Sequence, residues 1–248
     1  MSPPHALRFP PGRTLPAELS AAMERVGAFG VVYPPGYYEA LLDKYTRDGV
    51  RYPHILMILG IPRISSHFFY SRALQRAGRL LDYGCGTGDN VRKLIRDGFP
   101  RERIAAFDIN WSSIDLGFDL YRDRKDIGGL FSVSGAFPFG PEEFCTVYSA
   151  SVFHVISDDR ELERYLKNAY SALRPGGVLF GSTLGLGQGT TRSPEAWGPP
   201  RVMPEEVLAG CLTGAGFTRP AIVRRHNLPP YIDDRSMCVF EFCTQKPA

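Results

Sequence analysis

The chain has 248 residues, 44% hydrophobic and 22% charged, which is enough to bury a substantial core as one large domain or one domain with a cap. Its net charge of +3, without a long basic run, argues against a nucleic-acid partner. Five cysteines without a C-x-x-C pair or zinc-type histidine spacing predict reduced thiols, no metal centre and a cytoplasmic location. Without a basic-then-apolar leader or an apolar run long enough to cross a bilayer, no membrane partner is expected either.

Residues 1–20 are rich in proline and polar groups and predict a flexible tail. Residues 21–77 are helical in pieces: "AELSAAMERVG", "GYYEALLDKYTRDG", "YPHILMILG" and "SSHFFYSRALQRAG", each closed by glycine or broken by proline. They predict a helical N-terminal cap. From residue 78 to 248 short β-rich runs alternate with helical segments, the pattern of an α/β fold with a Rossmann-like, mostly parallel sheet.

Seven strands are expected within "RLLDYG", "RIAAFDI", "LFSVSG", "CTVYSASVFHVI", "GGVLFGSTLG", "AIVRRH" and "MCVFEFCT". The last two lack a helix between them, so they should be antiparallel neighbours. "DDRELERYLKNAYSALR" is the clearest amphipathic helix, with Leu162, Tyr165, Leu166, Ala169 and Leu173 on one face. An Asn-x-Ser sequon at Asn110 lies beside the motifs below and is not expected to be glycosylated.

"LLDYGCGTGDN" supplies the first chemistry. A strand running into a glycine-rich turn and then a helix exposes backbone N–H groups and lets a ligand approach closely. Gly84, Gly86 and Gly88 follow a G-x-G-x-G spacing, and Asp89 stands where a dinucleotide fingerprint would place its third glycine. Asp82 and Asp108, at the ends of adjacent strands, read either as ligand groups over one crevice or as ordinary strand-end acids.

The spacing of Asp82, Gly84, Gly86 and Gly88 resembles motif I of the class I S-adenosylmethionine-dependent methyltransferases. Asp108, 22 residues after Gly86, and "LRPGGVLF" at the turn into the fifth strand extend that likeness. The resemblance implies a seven-stranded methyltransferase sheet with its last strand antiparallel. It also implies S-adenosyl-L-methionine as cofactor and S-adenosyl-L-homocysteine as product. Asp108 would then take the ribose hydroxyls and Ile109 would pack on adenine. Ala136 and Phe137 would lie near the adenine amino edge, and the backbone of Ser149 and Ala150 would meet the methionine amine.

A narrower likeness covers roughly residues 50–182. "VRKLIRDGFPRERIAAFDINWSSIDLGFDLYRDR", "SASVFHVISDD" and "YPHI" resemble the fungal meroterpenoid methyltransferases, although the glycine loop here follows the general superfamily pattern. This adds Tyr52 to the cofactor-binding set and implies a bulky small-molecule polyketide or terpenoid acceptor in secondary metabolism, methylated on a carboxylate or hydroxyl oxygen. His154, just past the fourth strand, is the candidate catalytic base, or a group orienting a carboxylate; a histidine buried under the next helix is the bland alternative. His54 and His67 are weaker candidates. "LGLGQGTTRSPEAWGPP", with Trp197, is read as a loop bordering the acceptor, either a lid or a surface excursion. A scaffold repurposed for cyclisation or isomerisation is the competing function, and a homodimer stays open.

Overall fold

In the computed structural model, which describes residues 9–50, 54–187, 202–226, 228 and 236–248, seven strands form one sheet in the order β3-β2-β1-β4-β5-β7-β6. They are β1 (Leu80–Tyr83), β2 (Ile104–Asp108), β3 (Phe131–Val133), β4 (Phe144–Ala150), β5 (Leu173–Leu186), β6 (Thr218–Arg225) and β7 (Met237–Gln245). Neighbouring pairs from β3 to β5 are parallel, whereas β7 runs antiparallel to both β5 and β6. The expected mostly parallel sheet with an antiparallel last strand is therefore found.

β1 and β4 sit at the centre, buried on both faces apart from Ala150 at the exit of β4, as expected of parallel strands covered by helices. One face packs on α8 (Asp159–Ala172) and α9 (Glu205–Gly214) through Leu162, Leu166, Leu208 and Leu212. The opposite face packs on α4 (Tyr70–Gln75), α5 (Asp89–Arg96) and α6 (Trp111–Tyr121) through Ala73, Val91, Leu94, Ile114 and Phe118. A third cluster joins α1 (Leu15–Gly27), α2 (Tyr37–Asp48) and α3 (His54–Ile58) to Leu116, Leu120 and Tyr121 of α6. The remaining helix is the single turn α7 (Arg124–Ile127).

Four expectations need correction. The tail expected over residues 1–20 ends early, because α1 already begins at Leu15: proline stands in its first turn, Leu19 is buried, and Glu18 pairs with Arg13 at 2.9 Å. Residues 1–8 lie outside the described part of the chain. The helix expected over "SSHFFYSRALQRAG" is interrupted by an extended His67, and only Tyr70–Gln75 is α-helical. His67 accepts the Phe69 N–H at Nδ1 (3.0 Å) and donates from Nε2 to the Gly181 carbonyl (2.9 Å), a tertiary tie that overrides local helical preference.

Leu173, assigned above to the apolar face of α8, instead opens β5. The proline-glycine bend of "LRPGG" lies inside that strand as an irregularity: the partner of β4 jumps from Leu173 at Phe144 to Val178 at Thr146, around Gly176 at φ 73°. Asn110 of the sequon is the N-cap of α6. Its side chain accepts the Ser112 N–H at 3.2 Å and donates to Ser113 Oγ at 2.9 Å, which gives the asparagine a structural role worth about 1 kcal/mol.

Candidate functional site

The glycine loop leaves β1 over a single carbonyl. The N–H groups of Gly84 and Cys85 both donate to the Phe107 oxygen, at 2.8 and 3.1 Å, so the loop is tied to β2 from its first residue. Gly84, Gly86 and Gly88 have φ of 77°, 54° and 77°, a region costly for side-chain-bearing residues. Their surroundings divide the work. A Cβ on Gly84 would stand 2.3 Å from Val152, and one on Gly88 2.6 Å from Phe131, so both serve packing. A Cβ on Gly86 would meet nothing nearer than Ile55 Cδ1 at 3.7 Å. Gly86 therefore presents bare backbone to the crevice.

A buried polar scaffold holds this loop from below. Asp89 Oδ1 accepts the Gly60 N–H at 2.7 Å and the Tyr121 hydroxyl at 2.6 Å, while Oδ2 accepts the Thr87 hydroxyl. Arg92 donates to the Thr87 carbonyl at 2.6 Å, binds Asp123 through two nitrogens at 2.8 Å each, and lies 4.0 Å from the Tyr121 ring centroid. Gly117 of α6 lets that helix touch the loop, because a Cβ there would fall 2.0 Å from the Thr87 oxygen. Sequence reasoning missed Asp89, Arg92 and Gly117 as site residues. The signal was present for Gly117, the glycine of the "DLGFDLYRDR" likeness, but its reason is visible only once α6 meets the loop.

Asp82 sits beneath the loop, 1% exposed, and neither carboxylate oxygen has a hydrogen-bond partner. Burial, then the Asp108 carboxylate, pushes its acid up to about 8, against a smaller opposing pull from the Asn90 amide. Asn90 spends its own Oδ1 on the Ile64 N–H at 3.2 Å. In register beside Asp82 stands Tyr148, whose buried hydroxyl also lacks a partner and whose proton burial holds in place. Arg63, from the segment after α3, leaves Nη2 buried and unpartnered and acts electrostatically on the same tyrosine. Buried polar groups are nearly always satisfied, so these orphaned atoms, with the open face of Gly86, call for a ligand with polar groups at one end.

The remaining expected residues fall as follows. Asp108 accepts the Gly86 N–H at Oδ2 and the Asn110 N–H at Oδ1, both at 2.8 Å, which fixes its carboxylate at the end of β2 beside the loop. Ile109 follows it, 72% exposed. Ala136 is exposed, whereas Phe137 packs on Tyr83 with ring centroids 4.9 Å apart. The Ser149 hydroxyl lies 2.9 Å from that of Tyr165, which donates to the Tyr83 carbonyl at 2.8 Å and so ties the ends of β1 and β4 together. Ala150 ends β4 half-buried. Tyr52 and Trp197 lie outside the described residues.

His154 is buried, and burial, then Arg63 and His54, pushes its imidazole down to about 3. Its Nδ1 lies 3.4 Å from the Leu184 N–H and 3.3 Å from Thr183 Oγ1, which leaves the ring proton on Nε2. His54 is likewise lowered, to about 4, by burial and Arg63. His67 has both nitrogens committed to backbone.

Residues 80–177, which hold the glycine loop, Asp108 and His154, match the family described as methyltransferase domain. Over these residues the chain is similar to a methyltransferase domain. Among curated relatives, the domain is 43% identical over 61 residues to O-methyltransferase atr3 of Stereocaulon alpinum, covering 25% of this chain and 18% of that one. It is also 33% identical over 130 residues to the ubiquinone/menaquinone biosynthesis C-methyltransferase UbiE of Serratia proteamaculans, covering 50% of each. The chain thus spans half or less of the length of these relatives. Among solved structures, the [4+2]-cyclase SpnF superposes with a TM-score of 0.56 at 19% identity, over 79% of this chain and 81% of that one. The described residues have the same α/β fold as solved methyltransferases, among them phosphoethanolamine N-methyltransferase 2 of Haemonchus contortus, at a TM-score of 0.57 and 18% identity over 72% of this chain and 51% of that one. No helix among the described residues is long and apolar enough to cross a membrane.

Proposed function

We propose that this chain transfers a methyl group from S-adenosylmethionine to an oxygen of a bulky polyketide or terpenoid intermediate, a carboxylate or a hydroxyl. The observation that carries this reading is that Asp82, with both carboxylate oxygens buried and unpartnered, and Arg63, with Nη2 buried and unpartnered, both act on Tyr148, while Gly86 leaves its backbone bare. An amino-acid end fits them: its ammonium would satisfy the Asp82 oxygens and its carboxylate the Arg63 guanidinium. Asp108 would take the two hydroxyls of a ribose, and Ile109, Ala136 and Phe137 would flank the base. Tyr52, Gly84, Gly86, Gly88, Ser149 and Ala150 complete the proposed cofactor set.

When bound, the cofactor supplies a sulfonium methyl already activated for displacement. The chain's own residues then hold an acceptor in line and exclude water. A base is needed only for an acceptor that carries a proton. His154 keeps its lone pair on Nδ1, turned to Leu184 and Thr183, so in this arrangement it serves as a hydrogen-bond donor from Nε2. That favours an acceptor that arrives as a carboxylate, with His154 positioning one oxygen. The names of the O-methyltransferase relatives support oxygen as the target.

Because His154 titrates near 3, its charge does not change around neutrality, and kcat at saturating substrate should show no limb near pH 6.5. A limb there, abolished by His154→Gln, would restore the base role. Cyclisation or isomerisation on the same scaffold is the second reading, favoured by the superposition on SpnF. Mass spectrometry of metabolites from the source strain with and without this gene separates the two. Methyl transfer predicts accumulation of a compound lighter than the lost product by one methylene; a pair of equal elemental composition would replace it with the second reading.

A further inference from the structure

Away from the glycine loop, the face of the sheet that carries α4 has a cavity of about 360 Å³ lined by Phe68, Phe69, Arg72, Arg76, Val178, Arg219, Ala221 and Cys243, with Thr244 and Gln245 at its end. Its floor residue Val178 lies four positions before Ser182, the partner of the last residue of β4. At the strand rise this puts it about 13 Å back from the crevice edge. The two sites are therefore separate places on one sheet.

Three arginines, Arg72, Arg76 and Arg219, line this space, and no acidic residue does among the described residues. Arg76 donates to the Gly176 carbonyl at 3.0 Å, yet its Nε is buried without a partner. Arg219 stands at φ 54°, in the register jump of β6 between Thr218 and Ala221, a conformation uncommon for a residue with a long side chain. Glu241, the nearby acid on β7, is already engaged by the Phe68 N–H at 3.2 Å and by Arg225 at 3.0 Å. The other wall is apolar: Phe68 is 39% exposed, beside Val178 and Ala221. Burial pushes the Cys243 thiol up to about 11, so it adds no negative charge at neutral pH.

We propose that this cavity binds a phosphorylated small molecule, with the phosphate held among Arg72, Arg76 and Arg219 and an apolar portion lying on Phe68, Val178 and Ala221. Guanidinium forks match phosphate oxygens, and three of them suit a dianion better than a single carboxylate. The volume falls in the range of small-ligand sites, about 300–1,000 Å³, rather than that of an extended groove. A second copy of the chain is disfavoured, because two-fold pairing through this face would set arginines against arginines.

Calorimetric titration of the whole protein with hexyl phosphate and with inorganic phosphate tests this. Hexyl phosphate should bind saturably at one site and more tightly than inorganic phosphate, whether or not S-adenosylhomocysteine is present. Arg72→Ala/Arg219→Ala, which changes two exposed side chains, should weaken it at least about tenfold, with unchanged thermal unfolding as evidence of folding. The proposal is overturned by absence of saturable binding, by equal affinity for the two probes, by equal affinity of the double variant, or by displacement of hexyl phosphate with S-adenosylhomocysteine.

Discussion

Gly117→Ala should lower the thermal unfolding midpoint by several degrees and weaken S-adenosylhomocysteine binding, although the substitution is helix-favouring. In an open helix, glycine to alanine gains about 1 kcal/mol. Here the new methyl would fall 2.0 Å from the Thr87 oxygen and 2.9 Å from its carbonyl carbon, both backbone atoms of the glycine loop. The carbonyl cannot turn aside freely, because Arg92 donates to it at 2.6 Å and is itself held by Asp123. Either α6 backs away, opening the packing of its Ile114 and Phe118 against the sheet and α5, or the loop shifts under Gly86. Overpacking of this kind costs about 1–3 kcal/mol, and for a chain of this size each kcal/mol moves the midpoint by roughly 2–4 °C. A midpoint at or above that of the parent protein would show that the loop has room to move and is not braced by α6.

Asp82→Asn should do two opposite things: stabilise the ligand-free protein at alkaline pH and weaken cofactor binding. In the folded chain the acid is raised to about 8, far above its value of about 3.9 in an unfolded chain. The folded state therefore holds this proton more tightly. The associated stability is complete below about pH 4 and is lost as pH rises through 8. Asparagine is neutral throughout, so the advantage of the variant should open between pH 4 and 8 and level off above at several kcal/mol, on the order of 5, because each tenfold difference in proton affinity is worth about 1.4 kcal/mol.

The cofactor ammonium would satisfy that carboxylate, so its loss should cost about 2–3 kcal/mol, or roughly 30- to 150-fold in affinity. Binding by the parent protein should release a proton below pH 8, whereas binding by the variant should not. Calorimetry in buffers of different ionisation enthalpy reads this directly. Equal proton release by both proteins would remove Asp82 from the ammonium site.

The individual strands, the glycine turn and the two acids at strand ends were legible because each is written in a few consecutive residues; the order of the strands in the sheet is not. The sequence also marks all three loop glycines, but it does not say that only Gly86 faces the crevice while Gly84 and Gly88 back onto Val152 and Phe131. That distinction depends on residues about 40–70 positions away. Asp89 was noticed only as the residue that breaks a dinucleotide fingerprint; its partners Gly60 and Tyr121 come from the cap and from α6. Arg63 sits in a short connecting segment between Pro62 and Ile64, and nothing local distinguishes it from a solvated arginine. The stretch around His67 misled for the reverse reason. Its aromatic run satisfies helical periodicity, but the contact with Gly181 lies 114 residues away and decides the backbone.

The segment between α3 and α4 is tied to the sheet and the glycine-loop helix by Gly60 N–H to Asp89, Ile64 N–H to Asn90, His67 to Gly181 and Phe68 N–H to Glu241, and α2 adds Lys44 and Tyr45 on Asp119 of α6. At about 1 kcal/mol each, swinging this side open would cost several kcal/mol and would dismantle the floor of the glycine loop in the same motion. On the proposed reading, acceptor and product must therefore travel by a route that spares these ties.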